Sequence, residues 1–144
     1  MQQRVTGLTV PTLQGRVSLI SPPALEVNMK LILTPAMLAA AYCYLAETEP
    51  LRRWNLPDAE DILFKVGRTK KEYGCCEQVG KKFIITVSTK MHGATDTLMR
   101  TMAHEMIHVY QMHHRMRQTS DHDASWQNLA KKVCVHHGFD PKPF

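Results

Sequence analysis

Residues 98–108, Leu-Met-Arg-Thr-Met-Ala-His-Glu-Met-Ile-His, contain the pattern H-E-x-x-H within a segment of helical character. Because an α-helix turns once per ~3.6 residues, positions four apart lie on one face. His104 and His108 can therefore direct both imidazoles at one metal ion, and Glu105 beside them can reach a water molecule on that ion. Two imidazoles and an adjacent carboxylate are the minimal set for zinc-assisted hydrolysis.

The surroundings of this motif favour a functional helix over a chance pattern. Leu98, Met102, Met106 and Val109 give the same helix an apolar flank, so it can pack on a core while the histidines face a cleft. The motif also follows a predicted pair of strands, which is the usual order in zincins. The alternative is a surface helix that carries an accidental pair of histidines.

A catalytic zinc site normally has three protein ligands and one open position. No glutamate occurs in residues 106–144, which excludes a downstream glutamate ligand. His114 has the spacing of H-E-x-x-H-x-x-G-x-x-H, but Gln111 stands where that pattern uses a glycine to break the helix. On an unbroken helix His114 lies ~240° round from His108, and His113 lies ~140° away.

His122 is the remaining histidine candidate for the third ligand. It follows a polar stretch through which the chain can return to the site, and neutral imidazole is the commonest protein metal ligand. Neighbouring Asp121 and Asp123 can instead cap the last helix, orient a ligand or bind the metal themselves. His136 and His137, at the end of that helix, are expected to interact with its C-terminal dipole.

The remaining pattern predicts an N-terminal arm or tail over residues 1–28 and one domain over residues 29–144. Three helices are predicted: Pro35–Glu47 capped by Thr34, a helix from its cap at Thr95 or Asp96 to His114, and Ala124–His137 ended by Gly138. Three strands are predicted at Ile62–Thr69, Gly74–Gln78 and Lys82–Ser88, with a hairpin turn at Val79–Lys81. The residues expected on the buried side of the first helix are Met37, Ala41, Tyr44 and Leu45.

Composition is that of a globular domain. Of the 144 residues 44% are hydrophobic, and the net charge of +5 favours an acidic partner such as DNA, although many enzymes are equally basic. The four cysteines form no C-x-x-C pair, so a zinc ribbon is excluded and reduced thiols are expected. The longest apolar run, residues 36–46, is shorter than the ~20 residues of a membrane span. We therefore expect a cytoplasmic protein, nucleoid-associated if it acts on DNA.

Several of these stretches resemble the SprT-like (Spartan-related) zinc metallopeptidases. The similarity spans about residues 32–137 and is strongest in residues 98–108, with further matches at residues 33–45, Trp54–Pro57, Gly74–Cys76 and Ile84–Ser88. The resemblance implies a zincin-like α+β fold, in which a small antiparallel or mixed sheet of about three strands packs on an active-site helix with flanking helices. It also implies proteolysis, in some members of proteins bound or crosslinked to DNA.

The resemblance extends to the third ligand. The family's third histidine precedes a block H-G-x-x-[FW], which corresponds here to His122-Asp123-Ala124-Ser125-Trp126. This match carries His122 over as a zinc ligand, while Asp123 departs from the family's glycine. Many members continue into a zinc ribbon or a DNA-binding tail, which these residues do not include.

The sequence therefore predicts a zinc-dependent endopeptidase whose Zn²⁺ is bound by His104, His108 and His122, with Glu105 as general base. A second donor to the oxyanion is expected, for which Tyr73, Tyr110 and basic side chains are candidates. The strand Ile62–Thr69 is expected to form the rim of the cleft and to pair with an extended protein or peptide substrate.

Two other interpretations stay open at this point. One is a nucleic-acid-binding accessory protein with a structural or vestigial zinc site, suggested by basic clusters such as Lys70-Lys71, Arg115–Arg117 and Lys131-Lys132. The other is a hydrolase of small or cell-wall peptides. Salt-dependent DNA binding without proteolysis is the result that favours the accessory protein.

Overall fold

The computed structural model describes residues 31–90 and 94–144. Within these ranges, three α-helices and a three-stranded sheet confirm the predicted α+β architecture. The arm predicted for residues 1–28 lies outside the described residues. The elements are α1 Pro35–Ala46, β1 Ile62–Gly67, β2 Gly74–Val79, β3 Lys82–Ser88, α2 Thr95–His113 and α3 Ala124–His137, with short 3₁₀ turns at Leu51–Arg53 and Ala59–Asp61.

The sheet is mixed and places β3 between the other two strands. β1 pairs with β3 in parallel, and β2 pairs with β3 in the antiparallel direction. The β2–β3 hairpin turns at Gly80, whose φ of 63° lies in the left-handed region that glycine adopts without strain. The predicted hairpin is confirmed, and β1 ends at Gly67 instead of Thr69.

α1 and α2 cover one face of the sheet. α1 contacts β1, and α2 contacts β2 and β3. The strand side chains on this face are buried, and they are Ile62, Phe64, Phe83, Ile85 and Val87. α3 packs against α2, so α2 is the central element of the described core. The apolar flank predicted for α2 from Leu98 to Val109 is buried as expected.

α1 begins as predicted, and the burial predicted for Ala41 and Leu45 is confirmed. Thr34 caps it by accepting a hydrogen bond from the backbone N–H of Met37 at 3.2 Å. The prediction that Tyr44 is buried is wrong, because it is 59% exposed, whereas Tyr42 is 2% exposed. The Tyr42 hydroxyl donates to the backbone oxygen of Pro57 at 2.7 Å. Since the alanine- and leucine-rich α1 is apolar on every side, periodicity alone does not identify its buried face.

The bounds predicted for α2 and α3 agree with the structure to within one residue. α2 is preceded by Ala94, which provides no side-chain cap, so the capping predicted for Thr95 or Asp96 is wrong. α3 is capped by Asp123, and the glycine that ends it has a φ of 71°, as a left-handed stop requires. No helix in the described ranges is both long and apolar enough to cross a membrane.

Candidate metal centre

Three imidazoles converge between α2 and the loop that leads to α3. His104 and His108 lie one turn apart on α2, and His122 lies in the loop. The Nε2 atom of His122 is 3.0 Å from Nε2 of His104 and 3.2 Å from Nε2 of His108. The coordinating atoms of the three residues lie within 4.8 Å of one another, close enough to hold one metal ion. The structure thus brings together the three histidines that the sequence singled out.

Burial keeps two of these imidazoles neutral at physiological pH. The pKa of His104 is lowered to about 3, mainly by burial and further by the charges of His108 and His122. The pKa of His108 is lowered to about 4, again mainly by burial and then by His122. A neutral imidazole offers the nitrogen lone pair that a metal ion requires. Both histidines on α2 are therefore in the ligand-competent form without any change in pH.

Glu105 lies on α2 beside the imidazoles with its carboxyl group buried. The residue is 4% exposed, and burial, together with the charge of Glu72, raises its pKa to about 8. Gly74 on β2 leaves space for this side chain, because a Cβ there would lie 2.8 Å from Glu105 Oε1 and 3.0 Å from Thr101 Cγ2. The carboxyl group can thus exchange a proton near neutral pH, in a position that depends on a glycine opposite.

A cavity of about 510 Å³ opens over the imidazoles and Glu105. α2 forms its floor, and residues 72–76 on β2 and before it form one wall. The opposite wall comes from the loop around His122 and from Pro143 and Phe144. The prediction that Ile62–Thr69 forms the rim is wrong, because the sheet order places β2, and not β1, beside α2.

Two aromatic rings support the imidazoles from the side of α3. The Trp126 ring centroid is 4.2 Å from that of His122 and 4.6 Å from that of His104. Phe144 lies 5.7 Å from His104 and 6.0 Å from Trp126. Trp126 itself is buried, with 4% exposure. Phe144 was missed, because no local pattern relates it to the motif on α2. Gly74 lies in a stretch that the resemblance matched, but nothing in the sequence related it to Glu105.

Two other histidines, His114 and His137, have partners outside the cavity. Nε2 of His114 lies 2.9 Å from the backbone oxygen of Trp54. Nε2 of His137 lies 3.1 Å from the Thr48 hydroxyl. The exclusion of His114 by helical angle therefore agrees with its observed surroundings.

The two aspartates that the sequence left open differ in their roles. Asp121 lines the cavity. The carboxylate of Asp123 instead accepts hydrogen bonds from the backbone N–H groups of Trp126 at 3.0 Å and Thr119 at 3.1 Å. Of the alternatives left open for Asp123, the structure shows helix capping.

Comparison with known protein families agrees with this geometry. Residues 41–143 match the SprT-like family model, which covers well over half of the chain. The chain belongs to the SprT-like family. The resemblance found in the sequence is thereby confirmed, and no curated protein is similar enough to count as a match. The SprT-like region contains Glu105, the three clustered histidines and every residue of the cavity lining except Phe144.

Proposed function

We propose that this SprT-like protein is a zinc-dependent endopeptidase. The observation that carries the proposal is the convergence of three imidazoles beside a buried carboxyl group at the base of a cleft. This is the donor set of a catalytic metal site, with three protein ligands and room for a fourth, exchangeable one. Membership of the SprT-like family supports a metallopeptidase-like role.

The nitrogen spacing fits zinc. Zinc–nitrogen bonds of about 2.0–2.1 Å at tetrahedral angles separate neighbouring nitrogens by about 3.3 Å. The separations of 3.0 Å and 3.2 Å from His122 to the two histidines of α2 are close to this value. The coordinating atoms of all three residues lie within 4.8 Å of one another, so His104, His108 and His122 would hold the ion together.

Glu105 is assigned the proton transfers. Bound zinc supplies a Lewis acid that lowers the pKa of a water molecule towards ~7 and polarises the scissile carbonyl. Glu105 accepts the proton of the attacking water and then donates it to the leaving amine. Its pKa of about 8 without metal falls beside a cation, so the carboxylate form is present near neutral pH. Tyr73 lines the cavity and is the favoured second donor to the oxyanion, since Tyr110 packs on Trp54.

The substrate is proposed to be an extended polypeptide that pairs with β2. The backbone N–H of Ser88 donates to the backbone oxygen of Tyr73 at 2.8 Å. Because hydrogen-bonded residues alternate along an antiparallel pair, the backbone N–H and C=O groups of Gly74, Cys76 and Gln78 point away from β3. Within the described residues, β2 has no strand on this outer side. An extended peptide added here would run along the wall of the cleft above Glu105.

Zinc content and peptide cleavage test the proposal together. We expect one zinc ion per chain in the purified protein, lost in His122→Ala and retained in His136→Ala, whose exposed histidine lies away from the cavity. Glu105→Gln should keep zinc but lower turnover of an unstructured protein substrate by at least ~100-fold. Full proteolysis by Glu105→Gln would contradict the role of Glu105, and zinc retention by His122→Ala would contradict the ligand set.

DNA is proposed as the partner that presents the substrate, in the cytoplasm at the nucleoid. Exposed Lys70 and Lys71 immediately precede Glu72 on one wall of the cavity, and exposed Arg117 precedes Gln118 on the other. Basic side chains at both edges of a cleft can contact phosphates while the cleft holds a polypeptide.

Cleavage of one protein, free and bound to duplex DNA, tests this partner. We expect faster cleavage of the DNA-bound form, an advantage that decreases with salt and decreases in the double variant Lys70→Glu and Lys71→Glu. Equal rates for both forms would remove DNA from the proposal. Salt-dependent binding with no cleavage of either form would favour the accessory-protein alternative.

A further inference from the structure

The third imidazole lies on a segment without regular secondary structure. His122 is exposed in the loop between α2 and α3, whereas His104 and His108 are partly buried on a helix. A functional site requires its side chains to be held within about 0.5 Å of the productive geometry. The loop therefore needs contacts that fix its position relative to α2.

Asp123 holds the loop at its C-terminal end. Its Oδ1 accepts the backbone N–H of Trp126 at 3.0 Å and caps α3, while its Oδ2 accepts the backbone N–H of Thr119 at 3.1 Å. The two bonds engage both oxygens of the carboxylate. Gln127 Nε2 also donates to the backbone oxygen of His122 at 3.2 Å. The turn that presents His122 is therefore closed on both sides.

Gln111 connects the same carboxylate to α2. It lies one turn after His108 and is fully buried. Its backbone oxygen accepts the N–H of Met116 at 2.8 Å, which holds the start of the loop. Its buried side-chain amide lies near the Asp123 carboxylate, although within the described residues neither amide atom completes a hydrogen bond of normal geometry. A buried amide without such a bond is costly, so a small shift that completes one is favoured.

We propose that Asp123 and Gln111 form a clasp that positions His122 as a metal ligand, an inference that rests on the proposed zinc site. The clasp joins the helix that carries His104 and His108 to the loop that carries the third ligand. Neither residue reaches the metal, so both are positioning residues.

Asp123→Asn separates the clasp from helix capping. Asparagine caps a helix as well as aspartate does, so its oxygen can keep the bond to Trp126. Its NH₂ group then faces the N–H of Thr119, and that bond is lost. We expect α3 to stay folded while the dissociation constant for zinc rises by about 10–100-fold, measured on the full chain by competition with a chromophoric chelator. The absorption spectrum of the Co²⁺-substituted protein should change as the ligand geometry loosens.

Asp140→Asn is the matched control, because it removes the same charge from an exposed residue outside the cavity lining. A loss of zinc affinity equal to that of Asp123→Asn would reduce the effect to electrostatics and overturn the clasp. Gln111→Leu gives a second readout, because it removes a buried amide without normal hydrogen bonds. We expect the thermal midpoint of the metal-free protein to be unchanged or higher while zinc binding weakens. If Gln111 had a purely structural role, the thermal midpoint and the zinc affinity would both decrease.

The outcomes distinguish this proposal from the proposed function. If the wild-type chain binds no zinc, the ligand set itself fails and the clasp fails with it. If the wild type binds zinc and both Asp123→Asn and Gln111→Leu bind it equally well, the metalloprotease proposal stands and the clasp alone is overturned. Weaker zinc binding by both variants, with Asp140→Asn near the wild type, supports the clasp.

Discussion

Adding one methyl group at Gly74 is expected to lower catalysis without changing metal binding. In Gly74→Ala the new Cβ would lie 2.8 Å from Glu105 Oε1 and 3.2 Å from the backbone oxygen of Thr86. The backbone has little room to move, so the Glu105 side chain must be displaced. A displacement of about 1 Å in a catalytic group can cost about 100-fold in rate. We expect turnover to fall by about that factor while zinc content is unchanged.

Gly67→Ala is the control for this prediction. Its Cβ would meet the methyl group of the same Thr86 at 3.1 Å but would not approach Glu105. Zinc content, turnover and thermal midpoint should be measured for both variants. Equal losses of turnover in the two would indicate a general disturbance of the sheet rather than a displaced Glu105.

The ionisable groups of the site predict how the stability of the metal-free protein depends on pH. His104 and His108, with pKa values of about 3 and about 4, stay neutral in the folded state, while the unfolded chain binds protons below ~6.5. Stability is therefore lost as pH falls below ~6.5. The contribution of Glu105 to stability changes with pH in the opposite direction. Because its pKa is about 8, the folded state keeps a proton that the unfolded chain releases. Its contribution is lost as pH rises towards 8.

Together these groups give the metal-free protein a stability maximum near pH ~6.5. Below that value the two histidines outweigh the single glutamate, and above it only the glutamate titrates. Urea unfolding of chelator-treated protein between pH 5 and pH 8 measures the effect. In Glu105→Gln the decline above the maximum should disappear while the acid decline persists. A wild-type curve that rises steadily to pH 8 would contradict the burial assigned to Glu105.

At the scale of single elements, the sequence predicted the strands and the long helices well because their patterns are local. The bounds of α3 follow from a capping aspartate, a periodic apolar face and a terminal glycine. α1 lacks such a pattern, since apolar residues surround it and only packing selects the face that contains Tyr42. The uncapped start of α2 at Ala94 could not be predicted either, because a helix need not use the nearest threonine or aspartate as its cap.

Tyr42→Phe tests the face that α1 buries. The hydroxyl donates to the backbone oxygen of Pro57 at 2.7 Å from a residue that is 2% exposed. Removing it leaves that oxygen without this donor, so we expect a loss of about 1 kcal/mol in the free energy of unfolding. Tyr44→Phe, at a position that is 59% exposed, should change the free energy of unfolding by less than about 0.5 kcal/mol. Equal effects of the two substitutions would mean that the helix faces are assigned wrongly.

At the scale of the whole molecule, the candidate site was predictable only for residues that form a local sequence motif. His104, Glu105 and His108 share one helix, so their spacing alone brings them together. His122 required elimination of the other candidates and a family resemblance, because a loop separates it from α2. The wall formed by β2 and the ring of Phe144 could not be predicted, since strand order and the path of residues after α3 are set by long-range packing.

Zinc is expected to stabilise the molecule because its ligands join α2 to a loop. A ligand that binds only the folded state adds about 4 kcal/mol of stability at a free concentration 1,000 times its dissociation constant. For a domain of this size, such a gain raises the midpoint of thermal unfolding by roughly 10 °C. The midpoint of thermal unfolding should be measured at increasing zinc concentration for chelator-treated wild type and for chelator-treated His108→Ala. A variant that gains as much as the wild type would show that zinc binds somewhere else.

Within residues 31–90 and 94–144, no strand covers the outer edge of β2, and an edge suited to the proposed substrate is equally suited to another copy of the same strand. Edge strands with outward backbone groups promote aggregation unless charge, twist or a bound partner protects them. Glu77 on β2 and Lys81 and Lys82 at its turn supply exposed charges at this edge. The solubility of the protein is therefore coupled to the occupancy of its cleft. A peptide-like inhibitor that pairs with β2 should suppress aggregation as well as proteolysis.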